Sequence, residues 1–323
     1  MNNTCLADRP PPRRRRFPLS LRIYVGSLVF FSIATAVFHF LMIHRQQKAL
    51  EIAEQTGAEV ETRRHPSMFL GDPLFDQVVA VAFDTTPATN EALEELSRIN
   101  SLESLKLYRN QVTDSGLAHL ERMTHLQELA LSGARISNAG LKHLDHLAEL
   151  RVLRLDDTPI SDAGLAHLAG LTNLKELFLD KTQISDTGLQ HLSGLTRLEA
   201  LSLKGTHVTG RGLDHLRGAS GLEYLLLSDT PVDDAGLVGI SRFGKLRCLR
   251  LDGSRVTDAG LAHINEMTSL YQLVLSRTAV TDDGIRSLKA LSGLRLLQLT
   301  ETAVTDAGIA ELKMALPGLK IEK

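Results

Sequence analysis

Leucines recur along most of the chain in a pattern that repeats every 24 residues. The unit that begins at Leu150 reads LRVLRLDDTPISDAGLAHLAGLTN. Self-similarity at a fixed period predicts a stack of small structural units rather than one closed core. A weaker copy begins at Val78, and regular units begin at Leu102, Leu126, Leu150, Leu174, Leu198, Leu222, Leu246, Leu270 and Leu294.

Each unit predicts a strand, a turn, a helix and a return loop. In the Leu150 unit, Leu153 and Leu155 are two residues apart, which is the spacing of a short strand with one buried face. Leu165 and Leu168 follow at a spacing that lets a helix bury one stripe. A single unit cannot bury both faces, whereas stacked units bury them together.

The difference between strand spacing and helix spacing predicts a curved stack. Parallel strands lie about 4.8 Å apart, whereas packed helices need about 8–10 Å. The stack must therefore bend, with a parallel sheet on its concave side and helices on its convex side. The expected fold class is α/β.

A column of aspartates and a column of glycines mark the start of the predicted helices. We expect the aspartates to cap these helices, because a side-chain oxygen there accepts unpaired backbone N–H groups. A helical glycine costs about 0.5–1 kcal/mol, so its recurrence indicates close backbone packing or an unusual φ. The aspartates are Asp114, Asp162, Asp186, Asp234, Asp258, Asp282 and Asp306, and the glycines are Gly116, Gly140, Gly164, Gly188, Gly212, Gly236, Gly260, Gly284 and Gly308.

These columns give the units the form LxxLxLxxTxVTDxGLxHL. The pattern resembles leucine-rich repeats of the ribonuclease-inhibitor-like kind. It is most similar to the TDAGL repeats of many membrane-anchored bacterial proteins, especially those of planctomycete type. The resemblance covers residues 78–321 and implies a right-handed, horseshoe-shaped solenoid of about ten repeats over residues 78–323.

The ninth position of the repeat carries a further expectation from this resemblance. The usual repeat has an Asn there that hydrogen-bonds to neighbouring backbone, and Asn110 keeps it. Most other units have Thr, whose hydroxyl is expected to make part of the same ladder. Ala134 and Ser254 depart from the pattern, and Ala134 has no side-chain donor. The threonines are Thr158, Thr182, Thr206, Thr230, Thr278 and Thr302.

The N-terminal part of the chain predicts a membrane anchor. Residues 1–18 are basic and proline-rich, as in a disordered cytoplasmic tail. Residues 19–43 are predicted to form a transmembrane helix, because their apolar run is long enough to cross ~30 Å of hydrocarbon. Positive charge precedes the run, so the positive-inside rule places the N-terminus in the cytoplasm and the repeats outside the cytoplasmic (inner) membrane. A cleavable signal peptide with its site near Ala34 and Ala36 is the alternative.

Residues 44–77 are predicted to form a short stalk and an N-terminal cap, because an end repeat would otherwise expose core.

Charge is unevenly distributed along the chain. The formal net charge is −2, and residues 1–22 contribute six Arg and one Asp, so the remaining residues sum to about −7. This balance argues against nucleic acid as a partner, since phosphate binding needs clustered Lys and Arg.

The sequence has no catalytic or metal-binding signature. It contains no GxxxxGK[ST], HExxH or GxSxG motif, and neither of its two cysteines belongs to a CxxC pair. Histidines recur on the predicted helices, but adjacent copies would lie about 8–10 Å apart, too far to share a metal through ligand bonds of ~2.1 Å. We therefore expect no enzymatic activity, cofactor or metal.

The third and fifth residues of each unit are expected to point to solvent from the concave sheet. Apolar and aromatic side chains occur there from the middle of the array to its C-terminal end, beside charged residues. An exposed apolar group rimmed by polar residues is typical of an interaction site, although repeat drift without a ligand would produce a similar pattern. The candidate protein-binding residues are Arg154, Asp156, Phe178, Asp180, Tyr224, Leu226, Arg250, Asp252, Val274 and Leu296.

These features favour a non-enzymatic, single-pass membrane-anchored module that binds a protein or peptide. A basic segment on the partner would suit the aspartates. The alternative is a structural envelope or surface spacer that self-associates and has no discrete ligand. A ubiquitin-ligase-type adaptor follows from fold analogy alone, and the predicted span argues against it.

Overall fold

The structure is a computed structural model that describes residues 41, 43–44, 46–48, 50–52, 55, 57–64, 76–83, 87–108 and 110–323. The chain divides into two compact units, Met1–Arg45 and Gln46–Lys323. The predicted tail over residues 1–18 and almost all of the predicted span over residues 19–43 lie outside the described residues. Within the part that is described, no helix is both long and apolar enough to cross a membrane.

The second unit contains a sheet of 12 strands whose spatial order is the order of the sequence. β1 and β2 are antiparallel, and every later neighbour pair is parallel. The strands are β1 (Glu59–Arg64), β2 (Asp76–Phe83), β3 (Ser104–Leu107), β4 (Glu128–Ala130), β5 (Val152–Arg154), β6 (Glu176–Phe178), β7 (Ala200–Ser202), β8 (Tyr224–Leu226), β9 (Cys248–Arg250), β10 (Gln272–Val274), β11 (Leu296–Gln298) and β12 (Lys320–Glu322).

The register places the same repeat position of successive units side by side. Leu153 pairs with Leu177, and Leu177 pairs with Leu201. These three leucines are 0%, 0% and 1% exposed, so the strand leucines point into a shared interior. The predicted stacking of units around one aliphatic core is therefore confirmed.

The helical side of the stack consists of short pieces, many of them 3₁₀ rather than α. The leucines Leu165, Leu168 and Leu171 are spaced three residues apart, which matches the 3.0 residues per turn of a 3₁₀ helix. The α-helices are Asn90–Leu96, Asp114–Leu117, Asp162–Leu165, Asp186–Leu189, Asp234–Ile240, Asp258–Leu261, Asp282–Arg286 and Asp306–Ala315, and the 3₁₀ helices are Ala118–Arg122, Gly140–Leu144, Ala166–Leu168, Gln190–Leu192, Arg211–Leu216 and Ser287–Ala290.

The aspartate column acts between repeats, which corrects the expectation that each aspartate caps its own helix. Asp114 is the first residue of its helix. Its carboxylate accepts hydrogen bonds from the backbone N–H of Ser137 at 2.7 Å and from the Ser137 hydroxyl at 2.6 Å, one repeat further on. We call this recurring contact the carboxylate ladder. The same pairs form at Asp162–Ser185, Asp186–Thr209, Asp234–Thr257, Asp258–Thr281 and Asp282–Thr305, and Asn90–Thr113 and Asn138–Ser161 form amide versions.

The glycine column makes room for this ladder. A Cβ atom on Gly140 would lie against the carboxylate of Asp114, closer than real Cβ contacts allow. At Gly164 the same Cβ would meet the amide oxygen of Asn138 at 2.6 Å. Of the two explanations considered for the column, close packing is therefore the correct one, and the carboxylate or amide of the preceding repeat occupies the space.

The ladder is interrupted between the repeats that begin at Leu198 and Leu222. Gly210 stands in the place of the aspartate and has a φ of 94°, while Asp233 stands in the place of the Ser or Thr. Asp233 instead accepts from the N–H of Gly236 in its own helix at 3.1 Å. Pro231 also has no N–H to donate to the preceding repeat, whereas one repeat later Arg255 donates to Val232 O at 2.8 Å. This junction therefore lacks two contacts that reinforce its neighbours.

The ninth-position threonines bond within their own repeat, which corrects the expected ladder to neighbouring backbone. Thr158 donates to Leu155 O at 2.5 Å, and Thr182 donates to Leu179 O at 2.6 Å. The residue before each threonine makes the turn, as Asp157 does with a left-handed φ of 56°. At the divergent Ser254 the hydroxyl oxygen is buried and has no hydrogen-bond partner.

The described part of the segment before the first repeat packs against the solenoid. β1 pairs with β2 along the N-terminal edge of the sheet. The side-chain oxygen of Gln46 accepts from the N–H of Val78 at 2.7 Å, and Ile52 is only 9% exposed within the core. These contacts attach part of the segment to the solenoid, and the cap predicted within residues 44–77 stays a prediction. The apolar cluster expected over residues 65–77 falls mostly outside the described residues, and the predicted stalk stays a prediction.

The coupling between the aspartate and glycine columns is testable at Asp114 and Gly140. Asp114→Ala should lower the free energy of unfolding by about 1–3 kcal/mol through two lost hydrogen bonds. Gly140→Ala should cost about 1–3 kcal/mol by overpacking against that carboxylate, and its cost should fall in the Asp114→Ala background. Urea unfolding of the two single variants and the double variant measures this coupling.

Gly170→Ala is the matched control, because the nearest atom to its Cβ would be Asp145 O at 3.9 Å. It should leave stability nearly unchanged. Strictly additive effects of the Asp114 and Gly140 substitutions would contradict the shared space that we assign to these columns.

Candidate protein-binding face

The outer sheet face consists of the third- and fifth-position side chains of β3 to β11. It is less uniformly exposed than the sequence predicts. Val274 is only 1% exposed, because it lies between the longer side chains of Arg250 and Gln298 on neighbouring strands. Cys248, expected to face solvent, is 8% exposed, and burial raises the pKa of its thiol. Burial therefore disfavours the thiolate form of Cys248. Val274 is too buried to act as a contact residue.

A notch crosses this face at its centre. It is a depression of about 250 Å³ lined by Glu176, Phe178, Ala200, Leu201, Tyr224 and Leu226. Among strands β3 to β11, only β7 has small side chains at both outward positions, Ala200 and Ser202. The walls stand on β6 and β8, two strand spacings or roughly 9.6 Å apart.

The notch brings together three of the predicted site residues, Phe178, Tyr224 and Leu226. Tyr224 is 44% exposed, which makes it one of the most exposed large apolar side chains among the described residues. Phe178 and Leu226 are half-buried and flank the floor from opposite sides. Leu296 is half-buried on β11 and lies outside the notch.

Arg154 supports the aromatic wall of the notch from the neighbouring strand. Its guanidinium carbon lies 3.8 Å from the centre of the Phe178 ring, a cation–π contact. The same guanidinium is 4.0 Å from a Glu176 carboxylate oxygen, at the outer limit of an ion pair. The two predicted site residues Arg154 and Phe178 are therefore in direct contact.

The aspartates above the strands are largely engaged in hydrogen bonds within the protein. Asp156 accepts from the Ser132 hydroxyl and from the backbone N–H of Asp180, each at 3.0 Å. Asp180 accepts from the Ser202 hydroxyl and from the N–H of Lys204. These bonds run from one repeat to the next, so they stabilise the loops as well as placing negative charge above the notch.

Asp252 and Arg250 belong to a separate charged network further along the array. Asp252 is 7% exposed and accepts from the Ser228 hydroxyl at 2.7 Å, and Arg250 lies 3.4 Å from it. Arg277 reaches back over two repeats to Asp229, 2.7 Å away. The Arg277 side chain passes over Gly253 to reach Asp229. A Cβ atom at Gly253 would lie 3.2 Å from the Arg277 guanidinium, so a larger residue there would obstruct this side chain. Sequence reasoning missed Arg277, because its target is 48 residues distant.

Asp180 is the carboxylate of this face whose titration is most affected by its surroundings. Burial raises the pKa of Asp180, and the nearby charge of Asp156 raises it further, while the Ser202 hydrogen bond opposes both. The shift follows from placing one carboxylate beside another in a partly buried loop.

The described residues contain no cluster of three or more His, Cys, Asp or Glu side chains able to hold a metal ion. Two histidines on the helical side each lie near one carboxylate of an adjacent repeat. His143 lies 2.6 Å from Glu121, and His167 lies 3.7 Å from Asp145.

Comparison with known proteins agrees with this architecture. Two family models, both described as leucine-rich repeat, match residues 148–208 and residues 98–120 and 122–144. No curated protein sequence matches the chain. Together with the repeat structure, these matches show that the chain contains leucine-rich repeats over residues 98–120, 122–144 and 148–208.

Several solved structures share the fold at low sequence identity. An internalin from Listeria monocytogenes is 18% identical with a TM-score of 0.52, and the match covers 78% of this chain and 91% of that one. The Arabidopsis receptor kinase HAESA ectodomain, solved with a peptide hormone ligand, is 18% identical with a TM-score of 0.54, over 81% of this chain and 50% of that one. A TDR receptor structure is 15% identical with a TM-score of 0.56, over 76% of this chain and 42% of that one. These likenesses establish the fold alone.

Replacing Asp180 tests the electrostatics of this face. The folded state holds the Asp180 proton more tightly than the unfolded chain does, so ionisation opposes folding as pH rises from the ordinary value of 3.8 through the raised pKa. Asp180→Asn keeps an acceptor oxygen but cannot ionise. Its unfolding free energy relative to wild type should therefore rise between pH 3 and pH 7, as measured by urea unfolding.

Asp229→Asn provides the comparison, because Asp229 is paired with Arg277. This substitution should bring no such gain at pH 7. An Asp180→Asn difference that is independent of pH would rule out the proposed titration.

Proposed function

We propose that this protein is a non-enzymatic, membrane-anchored binding module whose outer sheet face captures a protein or peptide. The observation that carries the proposal is the notch, in which Phe178, Tyr224 and Leu226 surround a floor formed by Ala200 and Leu201. A folding role does not require aromatic side chains on the solvent side of a strand. Exposed aromatic groups in a depression are typical anchors of protein interfaces.

The arrangement suits an extended segment better than a flat surface. The notch is about one strand wide and is bounded on both sides, so it accepts one side chain at a time. HAESA, a protein with the same fold, is solved with a peptide ligand, which supports a peptide or an exposed protein segment as the partner class.

The proposal places the chain in the cytoplasmic membrane as a single-pass protein. The support is the predicted helix over residues 19–43, whose apolar run from Ile23 to Ile43 follows the arginines of residues 9–22. The N-terminus would then be cytoplasmic and the repeats extracytoplasmic. The cap formed by β1 and the residues near Gln46 would be the part of the solenoid that follows the anchor.

Removal of the notch aromatics tests the binding function. Phe178→Ala and Tyr224→Ala should each weaken partner capture by roughly thirty-fold, corresponding to about 2 kcal/mol for an interface anchor. The measurement is affinity capture with the detergent-solubilised chain as bait, followed by quantitative mass spectrometry. Binding constants are then determined for the proteins retained by wild type.

Tyr271→Ala is the matched control. Tyr271 is 51% exposed but lies outside the notch. Equal retention by all variants would exclude the notch as the binding site. Concentration-dependent self-association in sedimentation, with no other protein retained, would favour the spacer role.

The membrane assignment has its own test. The chain should remain with membranes after alkaline carbonate extraction, and protease added to intact spheroplasts should digest the repeats. An otherwise identical chain that lacks residues 19–43 should be released into the soluble fraction. Protection of the repeats from external protease would reverse the proposed orientation.

A further inference from the structure

We infer that the notch is a receptor for one cationic side chain, a lysine or an arginine, on an extended segment of the partner. The inference rests on the proposed function, since it specifies the chemistry of the group that the binding face takes.

The aromatic side chains supply two of the features that cation recognition needs. Phe178 stands on one wall and Tyr224 on the other, and both line the same depression of about 250 Å³. The face of an aromatic ring is electrostatically negative and attracts ammonium and guanidinium groups. Arg154 already occupies a position over Phe178 at 3.8 Å, which shows that this ring accepts a cation within the protein itself.

Glu176 supplies the third feature, a carboxylate on the notch wall. It is the only acidic residue that lines the notch. Its side chain is 42% exposed, and its ion pair with Arg154 is stretched to 4.0 Å because that guanidinium stacks on Phe178. A second cation therefore finds an accessible and weakly engaged carboxylate.

Glu128, at the equivalent position two strands away, has a carboxylate with closer polar contacts than that of Glu176. Glu128 accepts from the Ser104 hydroxyl at 2.8 Å and lies 3.1 Å from the Lys106 ammonium. Both contacts come from the neighbouring strand, so Glu128 is already neutralised. The contrast singles out Glu176 among the carboxylates of the outer sheet face.

The remaining lining suits the stem of a long basic side chain. Ala200, Leu201 and Leu226 are apolar and form the floor and the far wall. Lysine and arginine bury their methylene groups against such surfaces while the charged head stays near polar groups. A wholly apolar side chain would instead remove water from the Glu176 carboxylate without replacing its interactions.

Two aspartates above the notch also favour a cationic side chain. Asp156 and Asp180 lie beyond the Phe178 wall, where they accept hydrogen bonds but keep negative charge. Two cations lie near this region: the Arg154 guanidinium is stacked on Phe178, and the Lys204 ammonium is 3.9 Å from Asp229.

A positional-scanning peptide library tests the inference. The probe is an array of acetylated heptapeptides with one defined and six randomised positions, overlaid with the labelled full-length chain in detergent. Wild type should favour peptides with Lys or Arg at the defined position. Glu176→Gln should reduce that preference by about ten-fold, the effect expected from removing the charged partner of a hydrogen bond. The matched control Glu128→Gln should leave it unchanged.

The other outcomes separate this inference from the proposed function. Selection of apolar residues without a cation preference, abolished by Tyr224→Ala, would overturn the cationic assignment and retain the notch as the binding site. A cation preference unaffected by Glu176→Gln would likewise overturn the assignment. Equal binding by wild type and Tyr224→Ala would overturn the inference together with the proposed binding site.

Discussion

A carboxylate shared between neighbouring repeats is the interaction on which the order of this stack depends. The aspartate at the start of one helix accepts two hydrogen bonds from the Ser or Thr of the next, as in the 2.8 Å and 2.6 Å pair between Asp234 and Thr257. The aliphatic core drives stacking but has little directional preference. The hydrogen bonds supply direction, because they form only when successive helices begin at the same height.

The ladder explains why the Thr, Asp and Gly of the repeat recur together. The Ser or Thr donates, the aspartate accepts, and the glycine leaves space for the carboxylate of the preceding repeat. The three columns therefore contribute to a single contact, which joins two successive repeats. The helix penalty of about 1 kcal/mol for glycine is offset by hydrogen bonds that a larger side chain would displace.

The sequence was sufficient to predict the stacking, the parallel sheet and the buried leucines, because these follow from spacing within a single unit. It was insufficient for contacts that join units. The aspartates could be recognised as a column, but their acceptance of bonds from Ser137 or Thr281, each 23 residues away, depends on the height at which helices pack. The contact between Arg277 and Asp229 could not be predicted for the same reason.

The candidate site was predicted in part. Phe178 and Tyr224 were found because they are unusual at solvent-facing strand positions. The notch itself was not predicted, because it arises from the absence of large outward side chains on β7. The sequence signal for it is the pair of small residues Ala200 and Ser202 between strands with larger side chains. The predicted exposure of Val274 is wrong, because exposure depends on the side chains of adjacent strands as well as on strand alternation.

The interrupted junction at Gly210 and Pro231 gives the array an uneven stiffness. In a repeat protein each boundary contributes its own nearest-neighbour term, and this boundary lacks both the carboxylate contact and one backbone contact on its helical side. The boundary separates β7 from β8, and so it divides the floor of the notch from the wall that carries Tyr224. The notch is therefore built across a boundary that fewer hydrogen bonds hold together than hold the boundaries on either side of it.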